Sequence, residues 1–212
     1  MNNIHNPEIF RSVKPKEDTT TRLHEYRNTM RPPGHVPYVV DNLWEWKRPD
    51  GYPNRRFSVF ASPQEALARE AGSCEGTVYR VHLNGRYRLC QLQRYKDSKD
   101  HPECSSLKKL LLELIGQDWI DNRQTGREGT PGNLFIPKEE AGRLWIPCLT
   151  KSEVEQLFAE VAILQKIREE IYHAITYWDN IVLVNPGDPI LDKEGELFFE
   201  AEDGYYLRNI DD

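Results

Sequence analysis

The stretch TVYRVHL-NGR-YRLCQL, residues 77–92, decides the fold class. Apolar and polar residues alternate over residues 77–83 and again over residues 87–92, which is the pattern of strands with one buried face. The dipeptide Asn84-Gly85 between them is the strongest short-range signal for a β-hairpin turn. The stretch therefore predicts a two-stranded antiparallel ribbon.

Helix and strand patterns both occur on either side of this ribbon. Phe57–Ser62 predicts a strand, and Ser62 with Glu65 forms a capping-box pattern that predicts a helix over Pro63–Ala71. Apolar residues at helical spacing predict two further helices near residues 107–119 and 152–175, the second opened by Ser152 and Glu155. The mixture predicts an α+β fold with mostly antiparallel sheets. Further strand candidates are Leu134–Pro137, Leu144–Ile146, Ile181–Val184, Leu197–Glu200 and Tyr205–Leu207.

Composition indicates a globular chain in one domain. Of the 212 residues, 38% are hydrophobic and 29% are charged, which is too apolar for a disordered chain and too polar for a membrane protein. Residues 1–20 are polar and predict a flexible leader before a single domain over residues 21–212. Neither a transmembrane run nor the apolar core of a signal peptide is present, so we expect a soluble, cytoplasmic protein.

The charge and the metal-ligating residue types narrow the possible functions. The net charge of −6 argues against broad, nonspecific attraction to nucleic acid. The cysteines and histidines are scattered without metal-ligand spacing, so no metal site is expected. Neither a Rossmann nor a P-loop glycine pattern occurs.

The segment between Arg22 and Gly51 carries the most unusual chemistry. Arg27 and Arg31 lie four residues apart just before Pro32-Pro33, and arginine offers a planar fork of donors suited to a pyrophosphate. Taken alone, such arginines are more often surface ion-pair partners. The many prolines and aromatic residues that follow predict an irregular segment fixed by large side chains.

Taken in order along the chain, these motifs resemble those of the ADP-ribosyltransferases similar to the catalytic subunits of cholera and pertussis toxins. Tyr26-Arg27-x-x-x-Arg31-Pro32-Pro33 resembles the opening active-site strand of that family. Phe60-Ala61-Ser62 resembles the second strand, which ends in a Ser-Thr-Ser-like motif and leads into a helix. Residues 128–139 resemble the segment in which the catalytic glutamate precedes an Ile-Pro and a following strand.

The resemblance implies split antiparallel sheets that form an NAD cleft, flanked by helices, with NAD as a substrate and no metal. Glu128 would be the catalytic carboxylate, Arg27 would hold the phosphates or ribose of NAD, and Ser62 would support the glutamate. Tyr26 and Arg31 would also contact the cofactor. The aromatic residues that could stack on nicotinamide are Tyr26, Tyr38, Trp44 and Trp46.

Other interpretations of the same residues stay open. Glu128 lies in a glycine-rich stretch and could be a solvated loop residue, with Glu139 or Glu140 as the acting carboxylate. Ser62 could be only a helix cap. The chain could be a binding protein without catalysis, of the antitoxin or immunity kind, or an NAD glycohydrolase that uses water as the acceptor.

The resemblance also implies a biological setting. A small cytoplasmic transferase fits a toxin of a toxin-antitoxin or anti-phage system, or a phage effector, with an antitoxin as a possible partner. Gly126 stands where the family usually carries Glu or Gln, so the acceptor could be a protein, RNA or DNA. The arginines within residues 80–94 favour a nucleic acid.

Overall fold

The computed structural model describes residues 7–32, 34–115 and 140–210. Contacts divide the chain into two compact units, called here the sheet unit and the helical unit. The sheet unit comprises Met1–Thr29, Asp50–Ser98 and Asn180–Asp212, and the helical unit comprises Met30–Pro49 and Lys99–Asp179. The single domain expected over residues 21–212 stays a prediction.

The described residues form seven strands and five α-helices. In chain order they are β1 (Phe10–Val13), α1 (Tyr38–Lys47), β2 (Val59–Ala61), α2 (Glu65–Ala71), β3 (Thr77–Leu83), β4 (Tyr87–Leu92), α3 (Glu103–Ile115), α4 (Lys151–Glu160), α5 (Ala162–Ala174), β5 (Ile181–Val184), β6 (Leu197–Ala201) and β7 (Tyr205–Arg208). The strands make two antiparallel sheets, one in the order β1-β3-β7 and one in the order β2-β6-β4-β5. The predicted α+β class with antiparallel sheets is confirmed, as are the strands expected at residues 77–83, 87–92, 181–184, 197–200 and 205–207.

The predicted hairpin is wrong, because β3 and β4 belong to different sheets. β3 pairs with β7, and β4 pairs with β6. The connection from β3 to β4 therefore lies beside the connection from β6 to β7, at a corner where the two sheets meet. At this corner Asn84 N donates to the carbonyl oxygen of Gly204 (3.1 Å), and Gly85 and Gly204 have φ angles of 54° and 77°. The glycines permit a left-handed backbone that most side chains resist. Asn84-Gly85 therefore turns the chain from one sheet into the other.

One apolar cluster holds both sheets together. Ile9, Val81, Leu89, Phe199 and Leu207 are at most 2% exposed within it. The prediction of a flexible leader over residues 1–20 is wrong for residues 9–13, because Ile9 lies in the core and β1 pairs with β3. Burying one such aliphatic side chain contributes about 1.5–3 kcal/mol, which explains why a polar-looking segment is ordered here.

In the helical unit, the proline-rich segment is a helix rather than the irregular chain expected. Pro37 lies immediately before α1 and Pro49 lies after its end, so the prolines bracket the helix without interrupting it. Val39, Leu43 and Trp44 are wholly buried. The helix therefore forms part of a core.

The long helix expected over residues 152–175 is two helices, α4 and α5. They meet at Val161, whose backbone is extended (φ −86°, ψ 111°). The capping box is formed by Thr150 and Glu153, not by Ser152 and Glu155: Thr150 N donates to the Glu153 carboxylate (2.7 Å) and Glu153 N to Thr150 Oγ1 (3.3 Å). The helix expected near residues 107–119 is α3, whose described residues end at Ile115.

Two local predictions are wrong, one of a helix cap and one of a strand. Ser62 does not cap α2, which begins at Glu65 after Gln64 without a side-chain cap. Leu144–Ile146 is not a strand, because Glu140–Trp145 forms a 3₁₀ helix. The strand candidate Leu134–Pro137 lies outside the described residues. None of the described helices combines the length and apolar character needed to cross a membrane.

Candidate functional site

A cationic cleft of about 370 Å³ opens in the sheet unit. Five of its lining side chains are lysine or arginine and one is a carboxylate. These are Arg11, Lys14, Lys16, Arg22 and Arg27, with Glu25. Although the chain carries a net charge of −6, this concentration of positive charge suits an anionic ligand.

Two of the cations are partly neutralised by carboxylates. Lys14 lies 2.6 Å from Glu75 and Arg22 lies 3.4 Å from Asp18, and both pairs are exposed, so each contributes little to stability. Among the described residues, no carboxylate pairs with the side chains of Arg11, Lys16 or Arg27. These three cations are available to a ligand.

Arg11 reaches the cleft because of its position on β1. Side chains alternate along a strand, so Phe10 packs on Ala68 behind the sheet while Arg11 points the other way. Its Nη1 donates to Tyr205 Oη at 2.6 Å. The His24 ring stacks on the Tyr205 ring, with centroids 5.0 Å apart. The guanidinium is therefore held in one orientation at the cleft.

His24 joins the loop after β1 to strand β7. Backbone hydrogen bonds of 2.8 and 3.0 Å connect His24 and Tyr205, and His24 Nε2 lies 3.0 Å from the carbonyl oxygen of Thr19, to which it donates. This arrangement fixes the loop that supplies most of the cleft cations.

The predicted Arg27 lines this cleft, but it is not on a strand. The adjacent Tyr26 is 39% exposed, and its ring stacks on Phe57 with centroids 6.4 Å apart. Burial raises the pKa of Tyr26, and the nearby carboxylate of Glu200 raises it further. The opening strand predicted at Tyr26–Arg31 is thus wrong, and the strand that brings an arginine to this cleft is β1, with Arg11.

The remaining cofactor candidates lie in the helical unit. Arg31 is exposed and Tyr38 is the half-buried first residue of α1. Trp46 is buried, and its ring stacks on Phe158 with centroids 4.4 Å apart. None of these three lines the cationic cleft.

The structure corrects the prediction that Trp44 stacks on nicotinamide. Trp44 is 0% exposed, its ring stacks on Tyr177 with centroids 3.8 Å apart, and its Nε1 donates to Glu103 Oε2 at 2.8 Å. Glu103 also accepts from the backbone N (2.5 Å) and Oγ1 (2.6 Å) of Thr176. Because both the ring and its N–H are occupied by protein groups, Trp44 is a core residue.

Ser62 lies where the edges of the two sheets meet. It exchanges two backbone hydrogen bonds of 2.8 Å with Phe10, the neighbour of Arg11. On its other side, β2 pairs with β6 and sets Ala61 opposite Leu197. Continuing this register by one residue sets Ser62 opposite Glu196. Ser62 is therefore a backbone neighbour of Phe10, and neither Ser62 nor Glu196 lines the cationic cleft.

Glu196 is a largely buried carboxylate at the start of β6, with a side chain 13% exposed. Its Oε2 accepts from Ser98 Oγ (2.5 Å) and Ser98 N (3.2 Å), and Arg55 Nη1 lies 3.6 Å away. Among the described residues, no group donates a hydrogen bond to Oε1. Ser98 therefore fixes one of the two carboxylate oxygens.

Burial raises the pKa of Glu196, and Asp97 raises it further, while Arg55 and Ser98 oppose the rise. Because the folded pKa exceeds the ordinary 4.5, the stability linked to this group is full below the unfolded pKa and is lost as pH rises through the folded pKa. We predict that wild type loses free energy of unfolding relative to Glu196→Gln as pH increases from about 4 to about 8. Urea denaturation of both proteins across this range measures the difference. A pH-independent difference would contradict the raised pKa.

Of the three carboxylates predicted from the sequence, the structure describes one. Glu128 and Glu139 lie outside the described residues, and Glu140 is exposed at the start of a 3₁₀ helix in the helical unit. Sequence reasoning missed Arg11 and Glu196. The available signals were an arginine within the apolar run Ile9–Val13 and a glutamate directly before Leu197-Phe198-Phe199.

Metal-ligating clusters offer no further candidate. Within residues 7–32, 34–115 and 140–210, no group of three or more His, Cys, Asp or Glu side chains could hold a metal ion. Comparison of the chain with protein-family models, with curated proteins and with solved structures finds no match.

Proposed function

We propose that this protein is an NAD-dependent mono-ADP-ribosyltransferase that moves ADP-ribose from NAD to a macromolecule. The motif resemblance requires an arginine on an opening strand, a serine at the end of a second strand before a helix, and a glutamate before a later strand. We assign these roles to Arg11 on β1, Ser62 directly after β2 and Glu196 directly before β6. The observation that carries the proposal is the cationic cleft, in which Tyr205 orients Arg11 and which Lys16 and Arg27 also line.

Arg11 would bind the pyrophosphate of NAD. Its guanidinium is oriented by Tyr205, and a planar fork of donors matches phosphate oxygens. Lys16 and Arg27 line the same cleft and would add to the attraction for the dinucleotide.

Glu196 takes the carboxylate role that sequence reasoning assigned to Glu128. In the reaction, nicotinamide leaves with the electron pair of the glycosidic bond, and positive charge develops on the ribose. The carboxylate of Glu196 would accept a hydrogen bond from a ribose hydroxyl and stabilise that charge. Ser98 fixes one oxygen of this carboxylate, so little reorganisation accompanies the reaction.

The second half of the reaction joins ADP-ribose to an acceptor. A nucleophilic atom of the acceptor forms a bond to C1 of the ribose and releases its proton to solvent. A protein side chain or a nucleic acid base can supply that atom, and water in its place would make the protein an NAD glycohydrolase. We propose a macromolecular acceptor, in keeping with an intracellular toxin or phage-defence effector restrained by an antitoxin.

Matched substitutions distinguish the contributions of Arg11 and Arg27 to the use of NAD. We predict that Arg11→Lys lowers kcat/KM for NAD by about 10- to 100-fold, because lysine keeps the charge but loses the bidentate fork. Arg27→Lys should lower it by less than about threefold, since Arg27 makes no hydrogen bond to the described residues that would orient it. Nicotinamide release at several NAD concentrations measures both. Equal effects would remove the special role of Arg11.

Transfer of label tests the function itself. The purified protein is incubated with NAD radiolabelled in its adenylate phosphate together with a cell lysate, and the products are then treated with nuclease or protease. Label in a nuclease-sensitive or protease-sensitive fraction supports a transferase and assigns the acceptor class. Nicotinamide release without bound label would establish glycohydrolysis instead. Neither label nor nicotinamide would favour a binding protein and overturn the proposal.

A further inference from the structure

The face of the β1-β3-β7 sheet that points away from the core carries a cluster of cationic and aromatic side chains. Arg80 and His82 on β3 lie directly opposite Arg208 and Tyr206 on β7. We call these four residues the outer cationic face. α2 covers the other end of this side of the sheet, where Ala68 packs on Phe10 and Val78.

The pairing of Arg80 with Arg208 is unfavourable for the isolated protein. Like charges placed directly opposite on neighbouring strands destabilise a sheet. Burial lowers the pKa of His82, and Arg208 and Arg80 lower it further, which indicates the same crowding of positive charge. The compensating carboxylate in the described structure is Glu8, 3.6 Å from Arg80 and 71% exposed. An ion pair with so exposed a partner offsets little of the repulsion.

Arg80 also has an unsatisfied polar atom. Its Nε is buried and has no hydrogen-bond partner among the described residues, while its guanidinium carbon lies 5.9 Å from the centre of the Phe10 ring. Arg208 donates to the carbonyl oxygen of Thr20 at 3.3 Å and lies over the Tyr206 ring at 5.2 Å. Both arginines are thus held against aromatic rings with donors left for an anion.

The composition of this face favours one class of partner. Cations that follow a backbone, combined with rings on which bases stack, are the features that bind single-stranded nucleic acids. The Arg80–Arg208 row and the His82–Tyr206 row are two residues apart, or about 7 Å along the strands. The exposed large apolar side chains of the described residues, Leu23, Tyr26, Met30 and Leu191, all lie outside β3 and β7. The face therefore lacks the exposed apolar side chains typical of membrane insertion.

We propose that the outer cationic face binds the phosphate backbone of a single-stranded nucleic acid, with Arg80 and Arg208 on phosphates and Tyr206 against a base. The arginines nearer the corner are not part of this site, because Arg88 pairs with Glu200 and Arg86 with Asp203. Binding at this face does not depend on NAD chemistry. Only the further step, that the bound strand is the acceptor, rests on the proposed transferase.

The test uses the full chain and a fluorescein-labelled oligouridylate of about a dozen nucleotides, followed by fluorescence anisotropy without NAD. The double variant Arg80→Gln/Arg208→Gln is compared with the control Arg69→Gln/Arg143→Gln, which removes two exposed arginines elsewhere and changes the net charge equally. We expect the face variant to bind about 10- to 100-fold more weakly at low salt. The magnitude of the slope of log affinity against log salt should fall by about 1.4, or about 0.7 for each lost phosphate contact on a single strand, and the control should match wild type.

Each alternative result has a defined meaning. Equal losses in the face and control variants, or an unchanged salt slope, would overturn the site. So would binding only to anionic phosphatidylglycerol vesicles with no affinity for the oligonucleotide. Melting temperatures of the two variants identify any loss caused by unfolding, and Arg208→Lys, which keeps the charge, should then retain most of the affinity. Nicotinamide release by the face variant, measured separately, should equal wild type, so failure of the NAD proposal is distinguishable from failure of this one.

Discussion

Glu196→Gln should reduce nicotinamide release from NAD by at least about 10²- to 10³-fold, the usual cost of removing a group that stabilises charge in the transition state. Glutamine keeps the shape of the side chain and an oxygen that can accept from Ser98, but it removes the negative charge. Because burial raises the pKa of Glu196, the neutral variant should fold at least as stably as wild type. Loss of activity would then reflect chemistry. Nicotinamide release under single-turnover conditions is the measurement.

Two further variants serve as controls for Glu196→Gln. Glu194→Gln makes the same charge change two residues away, at an exposed side chain 3.9 Å from Lys96, and should keep wild-type activity. Glu128→Gln tests the carboxylate predicted from the sequence and should also remain active. If Glu128→Gln is inactive while Glu196→Gln works normally, the carboxylate assignment is wrong.

Trp44→Ala should lower the free energy of unfolding by about 3–5 kcal/mol, because it removes a fully buried aromatic ring. The Tyr177 ring loses its stacking partner at 3.8 Å, and Glu103 loses the N–H donor at 2.8 Å. Trp44→Phe keeps a ring but not the N–H, so it should cost less, about 1–3 kcal/mol. Urea denaturation followed by circular dichroism gives both values.

The same variants decide between a core role and a cofactor role for Trp44. If the ring stacks on nicotinamide, Trp44→Ala would raise KM for NAD while leaving the denaturation midpoint unchanged. We expect the reverse for Trp44→Phe, with a lowered midpoint and an unchanged KM.

Strands could be predicted from local sequence wherever alternation was clear. Ile181–Val184 and Leu197–Ala201 form short apolar runs between turn residues, and the structure confirms them. The connection at Asn84-Gly85 could not be resolved in this way, because the same dipeptide serves a reversal within one sheet and a corner between two. The choice depends on where β6 and β7 lie, and they are far away along the chain.

The predictions for the proline-rich segment and for the first residues of the chain were wrong for a related reason. Pro37 and Pro49 bound α1, but a run of prolines without the fold predicts irregular chain. Phe10–Val13 is only four residues long, and its strand conformation depends on pairing with β3. In both cases tertiary packing decided the local structure.

The candidate site was only partly accessible to sequence reasoning. Ser62 lies directly after β2, as expected of a residue at the end of a strand, although its expected capping role was wrong. Arg11 and Glu196 lie near opposite ends of the chain, on or beside β1 and β6, which contact Ser62 and β2. No local sequence pattern encodes such long-range pairing.

The crystal structure of Glu196→Gln bound to NAD tests the central claim most directly, because this variant should bind the dinucleotide without cleaving it. We predict pyrophosphate oxygens within hydrogen-bond distance of Arg11 and the nicotinamide ribose against Ser62 and the substituted side chain. NAD bound in the helical unit, or beside Glu128 and away from Arg11, would contradict the account. So would the absence of binding at saturating NAD.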